Sequence, residues 1–364
     1  MTEPLSVAVI GTGLIGTSVA LAAARTGCPV STWDTSAEVM GRASEIAGSR
    51  AAASLDDAVA GADIAVVATP IPTIAHLVVA CLASSPGVVV TDVGSVKTAL
   101  VRATIGSASS ADARRFVPGH PLGGSERSGP EHASASVVDG IVWALTPHET
   151  SDPEAVDALE AWIASLGARP VRLDPLRHDR LVAFVSHLPQ VASTALMSLA
   201  ATEEADEPEI LLLAAGGFRD LTRLAASNPA LWSDILLANR EAITEAIDLY
   251  IDRLGRLREA ISGRRGDEVQ GIFADAKRAR LRLSTKPTVR AGVAVLQIEV
   301  PDRPGSLADL TAVLGAGSVN IEDLQIVHSP EGGRGTVHLT VSADVVDRAN
   351  SVLGDVGLDP IRLA

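Results

Sequence analysis

"SVAVIGTGLIGTSVALAAARTG", residues 6–27, decides the fold of the first third of the chain. An apolar run typical of a buried strand leads into Gly11, Gly13 and Gly16, and an amphipathic helical pattern follows. In this G-x-G-x-x-G pattern the first glycine permits a tight turn and the second admits a pyrophosphate. The third lets the helix pack closely on the strand. The stretch therefore predicts a dinucleotide-binding Rossmann unit, and a glycine turn without a ligand is the alternative.

The apolar runs that follow support a doubly wound sheet. "PVSTWD" ends on Asp34, whose carboxylate can bond both ribose hydroxyls and would repel a 2′-phosphate, so we expect NAD rather than NADP. Two further runs, 62–72 and 87–95, end in small residues that would lie at the ligand-binding edge of the sheet. The predicted cofactor-binding residues are Gly11, Gly13, Leu14, Ile15, Gly16, Asp34, Thr69 and Pro70.

Composition limits the class of protein. The 364 residues suggest two or three domains, and 47% hydrophobic residues are enough for real cores. A net charge of −14 disfavours nucleic-acid binding, and the basic run 277–286 is interpreted as a solvated helix end and linker. The two cysteines have no disulfide or metal-ligand spacing. We see no signal-type leader and no apolar segment long enough for a membrane, and we expect a cytoplasmic protein.

One histidine stands in "GHPLGGSERSG", residues 119–129. Taken alone, His120 would be a surface turn residue, because Gly and Pro interrupt the segment heavily. The preceding "RRFVPGHP" predicts a short strand that ends at the same edge of the sheet as the cofactor turn. His120 is therefore a candidate for a cleft residue.

Beyond about residue 174 the pattern becomes helical, with predicted helices over 176–203, 208–215, 219–226, 229–262 and 267–283. In the first, Asp179, Ala183, Ser186 and Gln190 share one face by their spacing, and Pro189 predicts a kink. Such polar residues could instead be satisfied interhelical contacts.

A second polar cluster lies in "AAGGFRDLTRLAASNPALW", residues 214–232. Gly216 and Gly217 are expected to break the chain, and Arg219 and Arg223 lie one helical turn apart. A guanidinium fits a carboxylate, whereas the alternative is a surface ion pair with an acid such as Asp220.

In this order, "GTGLIG", "DVGSVK", "GHPLGGSERSG", "SHLPQ" and "GGFRDLTRLAASNPALW" resemble the prephenate dehydrogenase family, including its arogenate-using members, over about residues 5–285. The resemblance implies a Rossmann domain, an all-helical dimerisation domain, a homodimer, and His120 as the catalytic proton acceptor. It implies that Ser95 helps hold that histidine and the substrate and that Arg223 binds a substrate carboxylate. Further implied substrate-site residues are Glu126, Ser186, His187, Gln190, Gly216 and Trp232. By the same resemblance, Trp232 can reach the neighbouring subunit's site. At position 190 many members of the family have histidine where this chain has Gln190.

The tail predicts strand, helix, two strands, helix and strand, a ferredoxin-like order that resembles the ACT domain, an amino-acid-sensing module. That resemblance implies a ligand edge at Pro304, Gly305 and a strand around Asn320, and we expect tyrosine as the effector. A silent dimerisation unit is the alternative. The predicted fold class is an α/β Rossmann domain (1–173), an all-helical dimerisation domain (174–285), a linker (286–291) and a small α+β ferredoxin-like ACT domain (292–364).

The resemblance implies oxidative decarboxylation of prephenate to 4-hydroxyphenylpyruvate, with hydride transfer to NAD, in tyrosine biosynthesis. Use of arogenate is the alternative substrate choice. A 3-hydroxy-acid dehydrogenase is disfavoured, because residues 174–262 lack the K-x-x-x-N pair typical of that class. A non-catalytic regulator responsive to NAD and amino acids would not need Ser95, His120 and Arg223 together.

Overall fold

The computed structural model describes residues 4–123, 127–283, 293–301, 303–328 and 334–363. By compactness the chain forms two units. The first comprises Met1–Ala195 and Leu224–Leu249, and the second comprises Leu196–Arg223 and Tyr250–Ala364.

The first unit opens with a five-stranded parallel sheet of order β3-β2-β1-β4-β5. Strands β1 and β4 are buried along their whole length, as expected when helices cover both faces of a parallel sheet. Chain order reverses between β1 and β4, which is where ligands bind in doubly wound sheets. The predicted Rossmann unit is confirmed. Its strands are β1 Val7–Ile10, β2 Val30–Trp33, β3 Arg50–Ala51, β4 Ile64–Val67 and β5 Val89–Asp92; its helices are α1 Leu14–Arg25, α2 Ala37–Ala47, α3 Leu55–Val59, α4 Ile71–Ser84, α5 Thr98–Ser107 and α6 Ser110–Ala113.

A second sheet carries the histidine segment. Strand β6 (Gly119–Pro121) runs antiparallel to β7 (Val142–Leu145), which runs parallel to β8 (Arg169–Arg172), and α7 spans Pro153–Ser165. We expected this segment to end at the edge of the Rossmann sheet. It touches that sheet through a single bridge between Phe116 and Val90, and then it leaves to pair with β7.

The helical region departs from the predicted pattern in three places. The helix predicted over 176–203 contains a π-helical turn, the one predicted over 229–262 is broken at Asn239, and Gly216 and Gly217 begin a helix instead of breaking the chain. Loss of the Pro189 N–H leaves a carbonyl one turn earlier without its helical donor, which favours the π-turn. The bounds are α8 Pro175–Val182, the π-turn Ala183–His187, α9 Leu188–Glu203, α10 Glu209–Leu212, α11 Gly216–Thr222, a 3₁₀ turn Arg223–Ala226, α12 Pro229–Ala238, α13 Arg240–Ser262 and α14 Gly266–Leu283.

By length and composition alone, the continuous stretch Pro175–Glu203 could cross a membrane. The sequence prediction that no segment is long enough missed this stretch. Within it, His178, Asp179 and His187 are buried and hydrogen-bonded to other parts of the first unit. These contacts are those of a helix that packs inside a folded unit.

The tail forms a four-stranded antiparallel sheet of order β10-β11-β9-β12 with two helices. Along β9, Ala294, Leu296, Ile298 and Val300 alternate onto the buried face. The elements follow the predicted β-α-β-β-α-β order, whereas the predicted linker 286–291 lies outside the described residues. The bounds are β9 Val293–Pro301, α15 Ser306–Ala316, β10 Asp323–His328, β11 Arg334–Ser342, α16 Val346–Gly354 and β12 Ile361–Leu363.

Candidate active site

The glycine turn between β1 and α1 has the geometry of a phosphate cradle. Gly11 has φ 93°, and a side chain there would meet the Ala68 carbonyl oxygen at 2.6 Å. A Cβ on Gly16 would lie 1.9 Å from the carbonyl oxygen of Gly11. At Gly13, the residue before α1, a Cβ would have no atom within 4 Å, and no side chain caps the helix. The backbone N–H groups at the start of α1, where Leu14 and Ile15 lie, therefore face open space suited to a pyrophosphate.

Asp34 follows β2 and faces the glycine turn. Its Oδ2 accepts from the Thr12 amide at 2.8 Å and the Thr12 hydroxyl at 3.1 Å, and its Oδ1 accepts from the Ser36 amide at 3.0 Å. Thr69 and Pro70 follow the adjacent strand β4, and Thr69 Oγ1 accepts from Thr73 at 2.9 Å. The acid and the open helix terminus together fit the ribose and pyrophosphate of NAD.

His120 lies in the middle of β6 and is half-buried. Its Nδ1 is 2.9 Å from Nε2 of His178, and the two rings meet edge to face with centroids 5.2 Å apart. The other nitrogen of His178, Nδ1, is 2.9 Å from Oδ1 of Asp179. The three side chains therefore form one hydrogen-bonded line, His120–His178–Asp179.

Asp179 is fixed at the far end of that line. Its two oxygens accept from the amides of Lys97 and Thr98, each at 2.8 Å, at the start of α5. Burial alone would raise the pKa of this carboxyl. The hydrogen bonds from His178, Thr98 and the Lys97 amide outweigh burial and hold the pKa below its ordinary value. Asp179 is therefore a carboxylate at neutral pH.

The electrostatics keep His120 neutral. Burial, then the nearby His178, Lys97 and His187, hold the pKa of His120 well below its ordinary value of 6.5. A neutral imidazole with one nitrogen already bonded can accept a proton at the other. The side chain therefore has the state that a general base needs.

A buried ion pair fixes the strand that carries His120. Lys97 and Asp92 are fully buried and in contact, and Lys97 Nζ also donates to the Gly119 carbonyl at 2.7 Å. Asp92 accepts from the Gly94 amide at 2.8 Å. The pair thereby joins the end of β5, the turn that follows it and the residue next to His120.

Ser95 lies half-buried in the turn between β5 and α5. The family resemblance implies that it helps to hold the histidine. Among the described residues, however, the group that bonds His120 Nδ1 is His178, and Ser95 makes no hydrogen bond to His120.

The π-turn changes which residues of this helix face inward. We predicted that Asp179, Ala183, Ser186 and Gln190 share a face, and three of them, all but Ser186, are buried. The wider turn instead buries His187 and leaves Ser186 exposed. His187 Nδ1 lies 3.1 Å from Nδ2 of Asn239. Burial, opposed by Asp179 and reinforced by His178, lowers its pKa to about 4.

Trp232, on α12, and Asn239, which ends that helix, both contact His187. The Trp232 ring meets the His187 ring edge to face at 6.0 Å, so in this chain it packs on its own subunit's histidine. Asn239 Nδ2 also donates to the Asp179 carbonyl at 2.9 Å. Sequence reasoning did not assign Asn239 or His178, and it noted Asp179 only as part of a polar face. The dipeptide His-Asp at 178–179 was the available signal.

Gln190, a predicted substrate residue, is hydrogen-bonded inside the protein. It is 4% exposed, its Nε2 donates to the Leu224 carbonyl at 2.8 Å, and its Oε1 accepts from Ser227 at 3.4 Å. Both ends of the amide are thus used inside the protein, joining α9 to the segment before α12.

The remaining predicted substrate residues lie elsewhere in the chain. Arg223 is exposed at the start of the 3₁₀ turn, and within the described residues neither it nor Arg219 forms an ion pair, so the alternative pairing with Asp220 is not formed. Gly216 begins α11. Glu126 lies outside the described residues.

In the tail, Gly305 precedes α15 with φ 95°, next to Pro304, and no side chain caps that helix. Asn320 bonds Glu322 at 2.7 Å and is not in a strand, because β10 begins at Asp323. The predicted strand around Asn320 is therefore wrong. Ser318 adopts φ 53° and Val319 bonds back to Leu314, so the chain is still leaving α15 at this point.

A dinucleotide-type glycine turn, an acid that faces it and a neutral histidine held in a strand of the same unit are the features of an NAD-dependent dehydrogenase. Residues 19–172 match the nucleotide-binding domain of prephenate dehydrogenase, and residues 174–275 match its dimerization domain. The chain belongs to the prephenate dehydrogenase family.

Relatives and solved structures agree with this membership. The chain is 32% identical over 257 residues to prephenate dehydrogenase of Bacillus subtilis, covering 70% of this chain and 68% of the relative. It is 33% identical over 297 residues to cyclohexadienyl dehydrogenase of Zymomonas mobilis, covering 80% of this chain and 100% of the relative. The structure of A. aeolicus prephenate dehydrogenase, in complex with hydroxyphenyl propionate and NAD+, matches with TM-score 0.71 at 27% identity, covering 77% and 99%. Synechocystis arogenate dehydrogenase matches with TM-score 0.68 at 29% identity, covering 77% and 100%.

Proposed function

We propose that this protein oxidises and decarboxylates prephenate to 4-hydroxyphenylpyruvate. The observation that carries the proposal is His120, a neutral imidazole whose Nδ1 is already bonded and whose Nε2 is left for a substrate proton. Family membership supplies the substrate class. When bound, NAD accepts the hydride that leaves C4 of the substrate.

His120 provides the single proton acceptor that the reaction needs. The C4 hydroxyl gives its proton to the free nitrogen of the imidazole, the ring carboxylate leaves as carbon dioxide, and the ring becomes aromatic. Because aromatisation drives the reaction, the protein has mainly to position the substrate and to recognise its charges. The proposed recognition groups are Ser95, Arg223, Glu126, Ser186, His187, Gly216 and Trp232.

Arg223 is the proposed carboxylate-binding group. Its guanidinium is exposed and makes no ion pair within the part of the chain that is described. An unpaired fork of donors is suited to a substrate carboxylate. The R-D-x-T-R motif that contains it supports this role through the family resemblance.

Arogenate is the alternative substrate, and Synechocystis arogenate dehydrogenase is similar to this chain in fold and sequence. The choice is tested by steady-state rates of NADH formation, followed by absorbance, with each substrate at matched concentrations. A kcat/KM at least tenfold higher for arogenate would overturn the proposed substrate. If NADH formed with neither prephenate nor arogenate, the proposed reaction would be overturned.

A homodimer formed through the helical region is proposed as the assembly. The match of residues 174–275 to the family's dimerization domain supports it. Several large apolar side chains of this region are exposed in the single chain, and they suit a surface that a second copy covers. They include Leu212, Leu213, Leu221, Leu237, Ile251 and Phe273.

For the tail we propose a regulatory ACT-like module that senses tyrosine. Its strand and helix order supports a compact module, and the turn at Pro304 and Gly305 leads into a helix that no side chain caps. The proposed boundaries are 1–173, 174–285, 286–291 and 292–364. A cytoplasmic location is also proposed, in keeping with free Cys28 and Cys81.

A further inference from the structure

His178 is a buried imidazole that the proposed reaction does not yet use. It is 1% exposed, and both of its ring nitrogens lie 2.9 Å from a partner, His120 on one side and Asp179 on the other. A neutral imidazole has one donor nitrogen and one acceptor nitrogen. The identity of the two partners therefore decides which nitrogen carries the proton.

The Asp179 carboxylate determines which atom donates in each of the two hydrogen bonds that link it to His178 and His178 to His120. Asp179 accepts hydrogen bonds from the backbone amides of Lys97 and Thr98, so it is an acceptor toward His178 as well. His178 then carries its proton on Nδ1 and presents a lone pair at Nε2. It follows that His120 donates from Nδ1, and that its Nε2 carries the free lone pair.

We propose that His178 and Asp179 are positioning residues that fix the tautomer of His120 and stabilise the imidazolium formed when it accepts the substrate proton. The inference rests on the proposed function. In the step, the O–H bond at C4 breaks and an N–H bond forms at His120 Nε2, while the hydride from C4 goes to NAD. His120 then carries protons on both nitrogens and still donates from Nδ1 to His178.

The charges around the pair show why the carboxylate matters. Lys97 and His187 both disfavour a cation at His120, and Asp92 is engaged by Lys97. Asp179 is the acid that bonds the histidine pair directly. Asp179 also lines a cavity of about 110 Å³ together with Arg102, Arg240 and Glu241. Without Asp179 the new imidazolium would lose the acid that bonds the histidine pair directly.

Asp179 could instead act only as a structural cap for α5, because it binds the first amides of that helix. Replacement by asparagine separates the two roles. Asp179→Asn should lower the pH-independent kcat by on the order of 10²-fold or more, since the amide permits the wrong tautomer. It should also move the acid limb of kcat/KM to lower pH. A capping role alone would change thermal stability but not the pH profile.

The matched control is Asp174→Asn, which alters the cap of α8 without touching the histidines. It should leave the pH profile unchanged. His178→Gln is the second variant, because its oxygen can accept from His120 but cannot carry the imidazole link to Asp179. Recovery of wild-type kcat in His178→Gln would overturn the charge-stabilising role. NAD affinity, measured by titration, should be unchanged in every variant.

A measurement without substrate tests the tautomer itself. Nitrogen-15 NMR of histidine-labelled protein distinguishes Nδ1–H from Nε2–H imidazoles, and loss of a signal in His120→Asn assigns it. We expect Nδ1–H for His120, and an Nε2–H tautomer would overturn the inference. If His120→Asn remains fully active, the proposed function fails. If His120→Asn is inactive while Asp179→Asn behaves like the Asp174→Asn control, the positioning role of His178 and Asp179 fails and the proposed function stands.

Discussion

Replacing Lys97 by methionine should destabilise the first unit strongly. Lys97 and Asp92 are both fully buried, so the change leaves an unpaired carboxylate in the interior. Breaking a buried ion pair in this way costs about 3–5 kcal/mol. For a unit of this size, that corresponds to a fall of roughly 6–20 °C in melting temperature.

Lys97→Met also removes the bond from Nζ to the Gly119 carbonyl, next to His120. We therefore expect kcat to fall together with stability. Thermal and urea unfolding, followed by circular dichroism, measure the stability, and NADH formation measures the activity.

The control is an ion pair of the same type on the surface. Arg172 contacts Asp157 and Glu160 with its side chain 47% exposed, and such pairs contribute about 0–1 kcal/mol. Arg172→Met should therefore change the unfolding free energy little. The double variant Asp92→Asn with Lys97→Met should recover part of the loss. If Lys97→Met were no more destabilising than Arg172→Met, the argument from buried charge would be refuted.

Four further outcomes are expected. His120→Asn should keep NAD affinity and lower kcat by on the order of 10²-fold. Because the pKa of His120 is lowered, the acid limb of the wild-type pH–rate profile should lie below pH 6.5, and an acid limb above that value would contradict the assignment of His120 as the base. Arg223→Ala should mainly raise KM, by about 10- to 150-fold for a charge-assisted hydrogen bond, whereas an unchanged KM would remove it from the site. Activity with NADP should be lower by on the order of 10²-fold through repulsion at Asp34, and equal kcat/KM for both cofactors would refute that role. Ending the chain after residue 288 should relieve part of the inhibition by tyrosine at saturating substrate, and identical inhibition curves would exclude the tail as the tyrosine sensor.

Local patterns allowed the fold of the first third to be predicted. The glycine turn and Asp34 belong to one strand–helix–strand unit, so their relative positions follow from the sequence spacing. The same holds for the order of elements in the tail, which follows the order of the apolar patterns along the chain. His120 was identified by its motif, but its place in a second sheet depended on pairing with β7.

The support behind His120 could not be predicted in the same way. His178 meets it from 58 positions away, and Asp179 meets the Lys97 amide across 82 positions. Asn239 breaks a pattern that reads as one continuous helix, because its side chain bonds the Asp179 carbonyl. The π-turn before Pro189 shifts the inward face from Ser186 to His187. Each of these effects depends on tertiary contacts that helical spacing does not encode.

The three glycines of the cofactor turn differ in what a mutation would remove. Side chains at Gly11 and Gly16 would strike backbone atoms, so substitutions there should lower the amount of folded protein in the cell. A side chain at Gly13 would enter open space and should leave a stable chain that cannot take up its nucleotide. Substitutions at the outer two positions are therefore expected to act through protein abundance, and those at the middle one through cofactor binding.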